Sequence, residues 1–156
     1  MAYATTIRTP VVADHAAWKP LWDAYNAFYG RAGPTALTDA VVASTWARIL
    51  DPAEPVHALV AERNGRLVGL AHYIFHRSTI SIAPACYLQD LYTDEEVRGQ
   101  GIARALIAAV YERASRAGAA RVYWQTHESN AVARRLYDRV AERSGFIVYR
   151  HSLEGT

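Results

Sequence analysis

Seven consecutive residues, Val97-Arg98-Gly99-Gln100-Gly101-Ile102-Ala103, have the composition to bind an anion through the main chain. Two glycines one residue apart let the backbone turn tightly with its N–H groups directed inward, and a helix starting at once behind them adds the positive end of its dipole. Such a loop suits phosphate oxygens. An ordinary glycine-rich turn between strand and helix has the same wording, so Gly-x-Gly alone is compatible with both. Two known phosphate loops fail. A P-loop needs Gly-Lys followed by Ser or Thr, which is missing, and a dinucleotide fingerprint needs a third glycine where Arg104 stands. The dinucleotide loop also follows the first strand of a parallel unit, whereas this one follows a hairpin region late in the chain.

Positioning such a loop takes a strand before it and a helix after it, and both are legible. Ala85 to Thr93 reads as a strand running into the loop Asp94 to Gly99. Ile102, Leu106, Ala109, Val110 and Arg113 then follow helical spacing as far as the stop at Gly118. Upstream, Val56 to Glu62 and Leu67 to Phe75 flank Asn64-Gly65, the strongest short hairpin signal because both residues tolerate positive φ. Further back, a short strand near Ile7 precedes Asp14, which would cap a helix carrying Trp18, Trp22, Tyr25 and Tyr29 on one face up to Gly30 and Gly33. A second helix follows Thr38, buries Val42, Trp46 and Ile49 or Leu50, and stops before Pro52. Past the loop, Arg121 to Thr126 reads as a strand, and Asn130 caps a helix with Val132, Leu136 and Val140 on one side. Gly145 ends that helix, and Phe146 to His151 makes a last strand. The order is β-α-α-β-β-β-α-β-α-β, without repeats or linkers.

In that setting Arg98-Gly99-Gln100-Gly101-Ile102-Ala103 resembles the Arg/Gln-x-x-Gly-x-Gly/Ala pyrophosphate loop of the GNAT superfamily of acetyl-CoA-dependent N-acetyltransferases. The likeness extends to Tyr87-Leu-Gln-Asp-Leu-Tyr-Thr before the loop. After it come Tyr123-Trp-Gln-Thr-His-Glu-Ser-Asn and Ala133-Arg-Arg-Leu-Tyr137, so residues 85 to 150 match in order and spacing. Within the superfamily the wording is similar to the histone-and-polyamine and D-amino-acid acetyltransferase group. The resemblance implies an α/β GNAT fold: a mixed, mostly antiparallel sheet of six or seven strands, split by a V-shaped cofactor cleft and flanked by about four helices. It implies that Leu91, Tyr92 and Thr93 pair with the pantetheine arm as if it were a strand. The amides of Arg98, Gly99, Gln100, Gly101, Ile102 and Ala103 would face the pyrophosphate, and Asn130 would reach the pantetheine side. Tyr137, two helical turns past Asn130, would protonate the departing thiolate.

The other half of the reaction is less specified. An alkylammonium with a pKa of about 10.4 must lose a proton at neutral pH, a deficit of roughly 4 kcal/mol that a base or water chain must offset. Relatives often carry Glu-Asp where this chain has Gln89-Asp90, and glutamine cannot accept a proton. Asp90, Glu128 and His127 are the substitutes, beside a water relay. Tyr25, Tyr29, Asp90 and Trp124 are the candidates to bind the acceptor, although an aromatic stripe at helical spacing is more often core. His57, His72 and His76 sit in strand-patterned segments without metal-ligand spacing and read as packing or surface positions, so no metal is expected.

Composition sets the outer limits. The 156 residues, 51% of them apolar, suit one domain over 1–156. Sixteen arginines and the single Lys19 against fifteen acids leave +2, without the clustered charge of a nucleic-acid binder. Cys86 is the only cysteine, so no disulfide or thiolate metal cluster forms, and it should pack in its strand without carrying acetyl. The charge-free run Ser78 to Gln89 is twelve residues, too short to span a bilayer at roughly 20. The reading is a cytoplasmic enzyme, a homodimer as is common in the family. It transfers acetyl to a small primary amine of polyamine or amino-acid type, by direct attack in a ternary complex. A protein lysine or N-terminal acetyltransferase and a non-catalytic acyl-CoA sensor are the alternatives.

Overall fold

A computed structural model describes residues 4–153 and 155. The chain divides into two compact units, Met1–Gln125 and Thr126–Thr156. The first is a five-stranded sheet in the order β1 (Thr6–Arg8), β2 (Val56–Arg63), β3 (Arg66–His76), β4 (Ala85–Thr93) and β5 (Arg121–Tyr123). Neighbours are antiparallel except β4 and β5, which are parallel because the helix α3 (Ile102–Arg116) crosses over between them. Asn64 and Gly65 hold φ of 53° and 71°, the paired left-handed residues that close a tight hairpin between β2 and β3.

Two layers of helix cover the sheet because β2 and β3 are apolar on both faces. Ala58, Val60 and Leu70 join Trp18, Trp22, Val42, Trp46 and Ile49 from α1 (His15–Phe28) and α2 (Asp39–Leu50) in one core. Burying each such large side chain contributes on the order of 2–3 kcal/mol. α2 begins where Thr38 Oγ1 accepts the Val41 N–H at 3.4 Å. On the other face α3 lies so close to β3 that a Cβ on Gly69 would stand 3.1 Å from Ile102 Cγ2 and 3.2 Å from Leu106 Cδ1.

One irregularity positions the site. Tyr73 pairs with Leu88 and His72 with Asp90, so Gln89 is an extra, bulged residue in β4. Leu88 therefore shares the α3 face with Tyr73, while Asp90 joins His72 on the α1 face.

The second unit carries α4 (Ala131–Val140), begun by Asn130, whose Oδ1 accepts the Ala133 N–H at 3.3 Å. Three expectations need correction. Phe146 to His151 forms no strand: Phe146, Ile147, Val148 and Tyr149 are 69–91% exposed, so strand propensity is present without a partner edge, and the sheet has five strands. β5 ends at Tyr123, three residues short of Thr126. Asp14 stands at the start of α1 but does not cap it with its side chain; its carboxylate accepts the Val11 N–H and pairs with Arg8 at 2.7 Å.

Candidate functional site

β4 and β5 pair only over Ala85–Tyr87 and Arg121–Tyr123. From Leu88 to Thr93 the β5-facing edge of β4 has no strand partner among the described residues, although the Gln89 and Thr93 carbonyls accept the Tyr25 hydroxyl and Arg98 Nε. This edge leads through one 3-10 turn, Glu95–Val97, into the glycine loop. Gly99 and Gly101 adopt φ of 75° and 81°, and Gly101 is the left-handed residue on which α3 begins. Backbone bonding lapses after the Arg98 N–H, which reaches Glu95 O, and resumes with the Ala105 N–H donating to Gly101 O. The amides between them are the free donors of a helix start. Added Cβ atoms at Gly99 and Gly101 would meet nothing within 4 Å, so the loop is open on its outer side.

Side chains brace the loop from behind. Arg63 Nη1 donates to Gln100 Oε1, and Arg66 bridges Asp94 at 2.5 Å and Glu96 at 3.0 Å. Burial alone would raise the Asp94 carboxyl, but the Glu96 N–H and Arg66 together hold it below the usual carboxylate range. Arg98 turns back: its Nε donates to Thr93 O at 3.1 Å and its guanidinium lies 5.6 Å over the Tyr92 ring. Thr93 Oγ1 is buried without a hydrogen-bond partner. An open strand edge, an orphaned hydroxyl and a row of free amides fit a diphosphate with an extended amide-bearing arm, which is the chemistry of coenzyme A.

On the α1 face, the bulge delivers Asp90 into a network that sequence reasoning missed. Asp90 is 8% exposed and His72 3%. The Trp18 Nε1–H donates to His72 Nε2 at 2.9 Å, so Nε2 is an acceptor and Nδ1 carries the proton, which it donates to Asp90 Oδ2 at 2.8 Å. The Trp22 Nε1–H reaches the same oxygen at 3.2 Å. His72 is thus no ordinary packing residue. A histidine inside a buried strand was the available signal, but its partner depends on a register that no local pattern specifies.

Tyr25 and Tyr29 lie beside this network, with ring centroids 5.1 Å apart. The Tyr25 hydroxyl donates to the carbonyl of the bulged Gln89 at 3.4 Å, and burial followed by the Asp90 carboxylate pushes its phenol up. Arg31 lies 5.9 Å from the Tyr25 ring and 5.6 Å from the Tyr29 ring, its Nε tied to Asn26 Oδ1 at 2.8 Å. Trp124 is placed elsewhere, 6.3 Å from Tyr111 of α3, and does not join Tyr25, Tyr29 and Asp90. Cys86 is fully buried and burial pushes its thiol up to about 11. Among the described residues no three His, Cys, Asp or Glu side chains gather to hold a metal.

In the second unit, Asn130 and Tyr137 occupy one helix, with Tyr137 half-buried. Glu128 is exposed, and its carbonyl accepts Arg134 Nη1 at 2.7 Å. His127 Nδ1 meets Ser129 Oγ at 2.6 Å.

Comparison with known proteins agrees with this geometry. The chain is 33% identical over 141 residues to the D-amino-acid N-acetyltransferase HPA3 of Saccharomyces cerevisiae, covering 89% of this chain and 85% of that one. It is 30% identical over 145 residues to the N-acetyltransferase YhfO of Bacillus subtilis, covering 92% and 94%. Among solved structures, the aminoglycoside acetyltransferase AAC(6')-Iy, in complex with a CoA-containing bisubstrate analogue, superposes with a TM-score of 0.81 at 17% identity, covering 96% of this chain and 99% of that one. A ribosomal-protein-alanine N-acetyltransferase from Brucella melitensis gives 0.76 at 21%, covering 96% and 100%. These likenesses support the fold alone. The model of the Acetyltransferase (GNAT) family matches residues 18–141, and with the two curated relatives it establishes that the chain belongs to that family and is an acetyl-CoA-dependent N-acetyltransferase.

Proposed function

We propose that the protein moves acetyl from acetyl-CoA to the primary amine of a small molecule by direct attack with both substrates bound. The observation that carries this reading is the unpaired edge of β4 leading, through one short turn, into the free amides of the loop. Leu91, Tyr92 and Thr93 offer main-chain partners to an extended arm, and the amides of residues 98–103 hold a diphosphate. When bound, acetyl-CoA supplies an activated acyl group. Tyr137 holds the proton that the leaving thiolate takes, and Asn130 contacts the arm; both roles rest on the sequence match within the family. Asp90 receives the acceptor's proton in preference to the solvated Glu128, because Trp22 of α1 and His72 of β3 fix its carboxylate in place.

Among acceptors, an amino acid suits the site better than a polyamine. Arg31, which makes no ion pair among the described residues, stands beside Tyr25 and Tyr29 where a polyamine would need anions. A guanidinium near an amine-binding carboxylate complements a zwitterion, and the relative HPA3 is named for D-amino acids. Trp124 would act from the α3 side or not at all. The exposed run Phe146 to Tyr149 supports a homodimer that covers it. The lone buried thiol accords with the cytoplasm, and no described helix is long and apolar enough to cross a membrane.

The test is thiol release from acetyl-CoA with D- and L-amino acids, polyamines, aminoglycosides and a lysine peptide. Transfer to an amino acid is expected, with Tyr137→Phe lowering kcat about a hundredfold while acetyl-CoA affinity holds. Failure to bind acetyl-CoA at millimolar concentration would overturn the reading.

A further inference from the structure

Gln100 is the least supported point of the phosphate loop. It lies between two glycines with φ of 75° and 81°, and no backbone hydrogen bond among the described residues reaches Gly99 or Gln100. A glycine on either side leaves these peptides free to pivot. A ligand that needs their amides in one orientation must bear the entropy of ordering them, unless the protein orders them first.

The tie that the structure shows is the Gln100 side chain. Its Oε1 accepts Nη1–H of Arg63, the last residue of β2. The same guanidinium donates to Thr5 Oγ1, from Nε at 3.1 Å and from Nη2 at 2.8 Å. Thr5 stands one residue before β1, at the opposite edge of the sheet from β5. A planar, rigid fork of donors thus spans the distance from that edge to the loop. No carboxylate competes for it: Arg63 makes no ion pair among the described residues, whereas Arg66 is held by Asp94 and Glu96 and Arg98 lies 3.8 Å from Glu95.

Resting on the reading of this loop as the diphosphate site, we propose that Arg63 is a positioning residue for acetyl-CoA. Anchored on Thr5, it holds Gln100 so that the loop's amides are ordered before the cofactor arrives. Arg63 acts through Gln100 and does not touch the diphosphate in this role. With Arg66 fixing Asp94 and Glu96, the β2–β3 hairpin grips the loop at its entry and at its middle. The first strand of the chain thereby belongs to the cofactor site, although it lies far from the cofactor in the sheet.

Calorimetric titration with acetyl-CoA tests this without any acceptor. Arg63→Met keeps the apolar stem, removes the donors and should raise Kd about tenfold; Thr5→Val, which removes only the anchoring hydroxyl, should raise it about threefold. Arg63→Lys keeps the charge, but one ammonium cannot span both oxygens, so its loss should come close to that of Arg63→Met. Gln100→Ala should match Arg63→Met, and the double variant should lose no more than either single one, because both changes break the same contact. Tm without ligand should move by less than about 2 °C in each, since the Arg63–Gln100 contact is exposed. Thr5→Val carries the test if Arg63→Met does not fold. Unchanged Kd in Arg63→Met, full affinity in Arg63→Lys, or losses that multiply in the double variant would overturn the positioning role while the cofactor site stands. Wild-type protein that binds no acetyl-CoA would overturn the reading of the loop as well.

Discussion

Replacing Gly69 by alanine tests whether α3 holds the phosphate loop at the right height above the sheet. The new Cβ would stand 3.0 Å from the Tyr92 carbonyl oxygen, 3.1 Å from Ile102 Cγ2 and 3.2 Å from Leu106 Cδ1. Each contact is a few tenths of an ångström too short, and the carbonyl is backbone that cannot swing aside. Overpacking of this kind costs about 1–3 kcal/mol. Removing a glycine from a strand returns about 0.5–1 kcal/mol through the unfolded state. The net loss of about 1–2 kcal/mol lowers Tm by about 2–8 °C in a chain of this size. The sharper consequence is local. Ile102 is the first residue of α3, so relieving the clash shifts the free amides at the helix start, and acetyl-CoA affinity should fall about tenfold as hydrogen-bond geometry degrades. Calorimetric titration with acetyl-CoA and a thermal melt measure both. Gly118→Ala is the control: φ of 75° with open space around it gives a comparable backbone cost at the far end of α3. An unchanged affinity in Gly69→Ala, or an equal loss in Gly118→Ala, would refute the reasoning.

Two further outcomes are expected. Cys86, buried and with its thiol pushed up to about 11, should resist iodoacetamide at neutral pH in the folded protein, and Cys86→Ala should still transfer acetyl; rapid alkylation would contradict the burial. The Arg8 guanidinium, despite opposing burial, holds the Asp14 carboxyl below its ordinary value. A carboxyl depressed by folding adds stability that is complete above its unfolded value and is lost as pH falls through the folded one. Asp14→Asn should therefore flatten the decline of Tm below about pH 4, and an unaltered acid limb would show the pair to be idle.

Features written in neighbouring residues were the legible ones. The Asn64-Gly65 turn, the Thr38 and Asn130 caps and the glycine loop depend on side chains within a few positions of the backbone they control. So did the helical faces that bury Trp18, Trp22 and Trp46. The misjudged features depend on partners far along the chain. Alternation along β4 would place Asp90 on the same side as Leu88, and the bulge at Gln89 reverses that, so His72 and Asp90 meet only once the register is known. Phe146-Ile147-Val148-Tyr149 has the residues of a strand, but a strand exists only where a neighbour's edge accepts it. The end of β5 at Tyr123 in place of Thr126 likewise depends on how far β4 offers it a neighbour, which no three-residue pattern records.

The odd residue in β4 sets which genetic changes this protein can survive. Substituting Gln89 changes little of what surrounds it, since its side chain points to water and only its carbonyl is used. Deleting it would close the bulge and make Leu88 and Asp90 neighbours in a regular ladder, still opposite Tyr73 and His72 and on opposite faces, so the carboxylate would stay beside His72 and only the carbonyl that Tyr25 reaches would be lost. A codon lost at this point should therefore be tolerated much as point mutations are, because the pairs on either side do not need the extra residue.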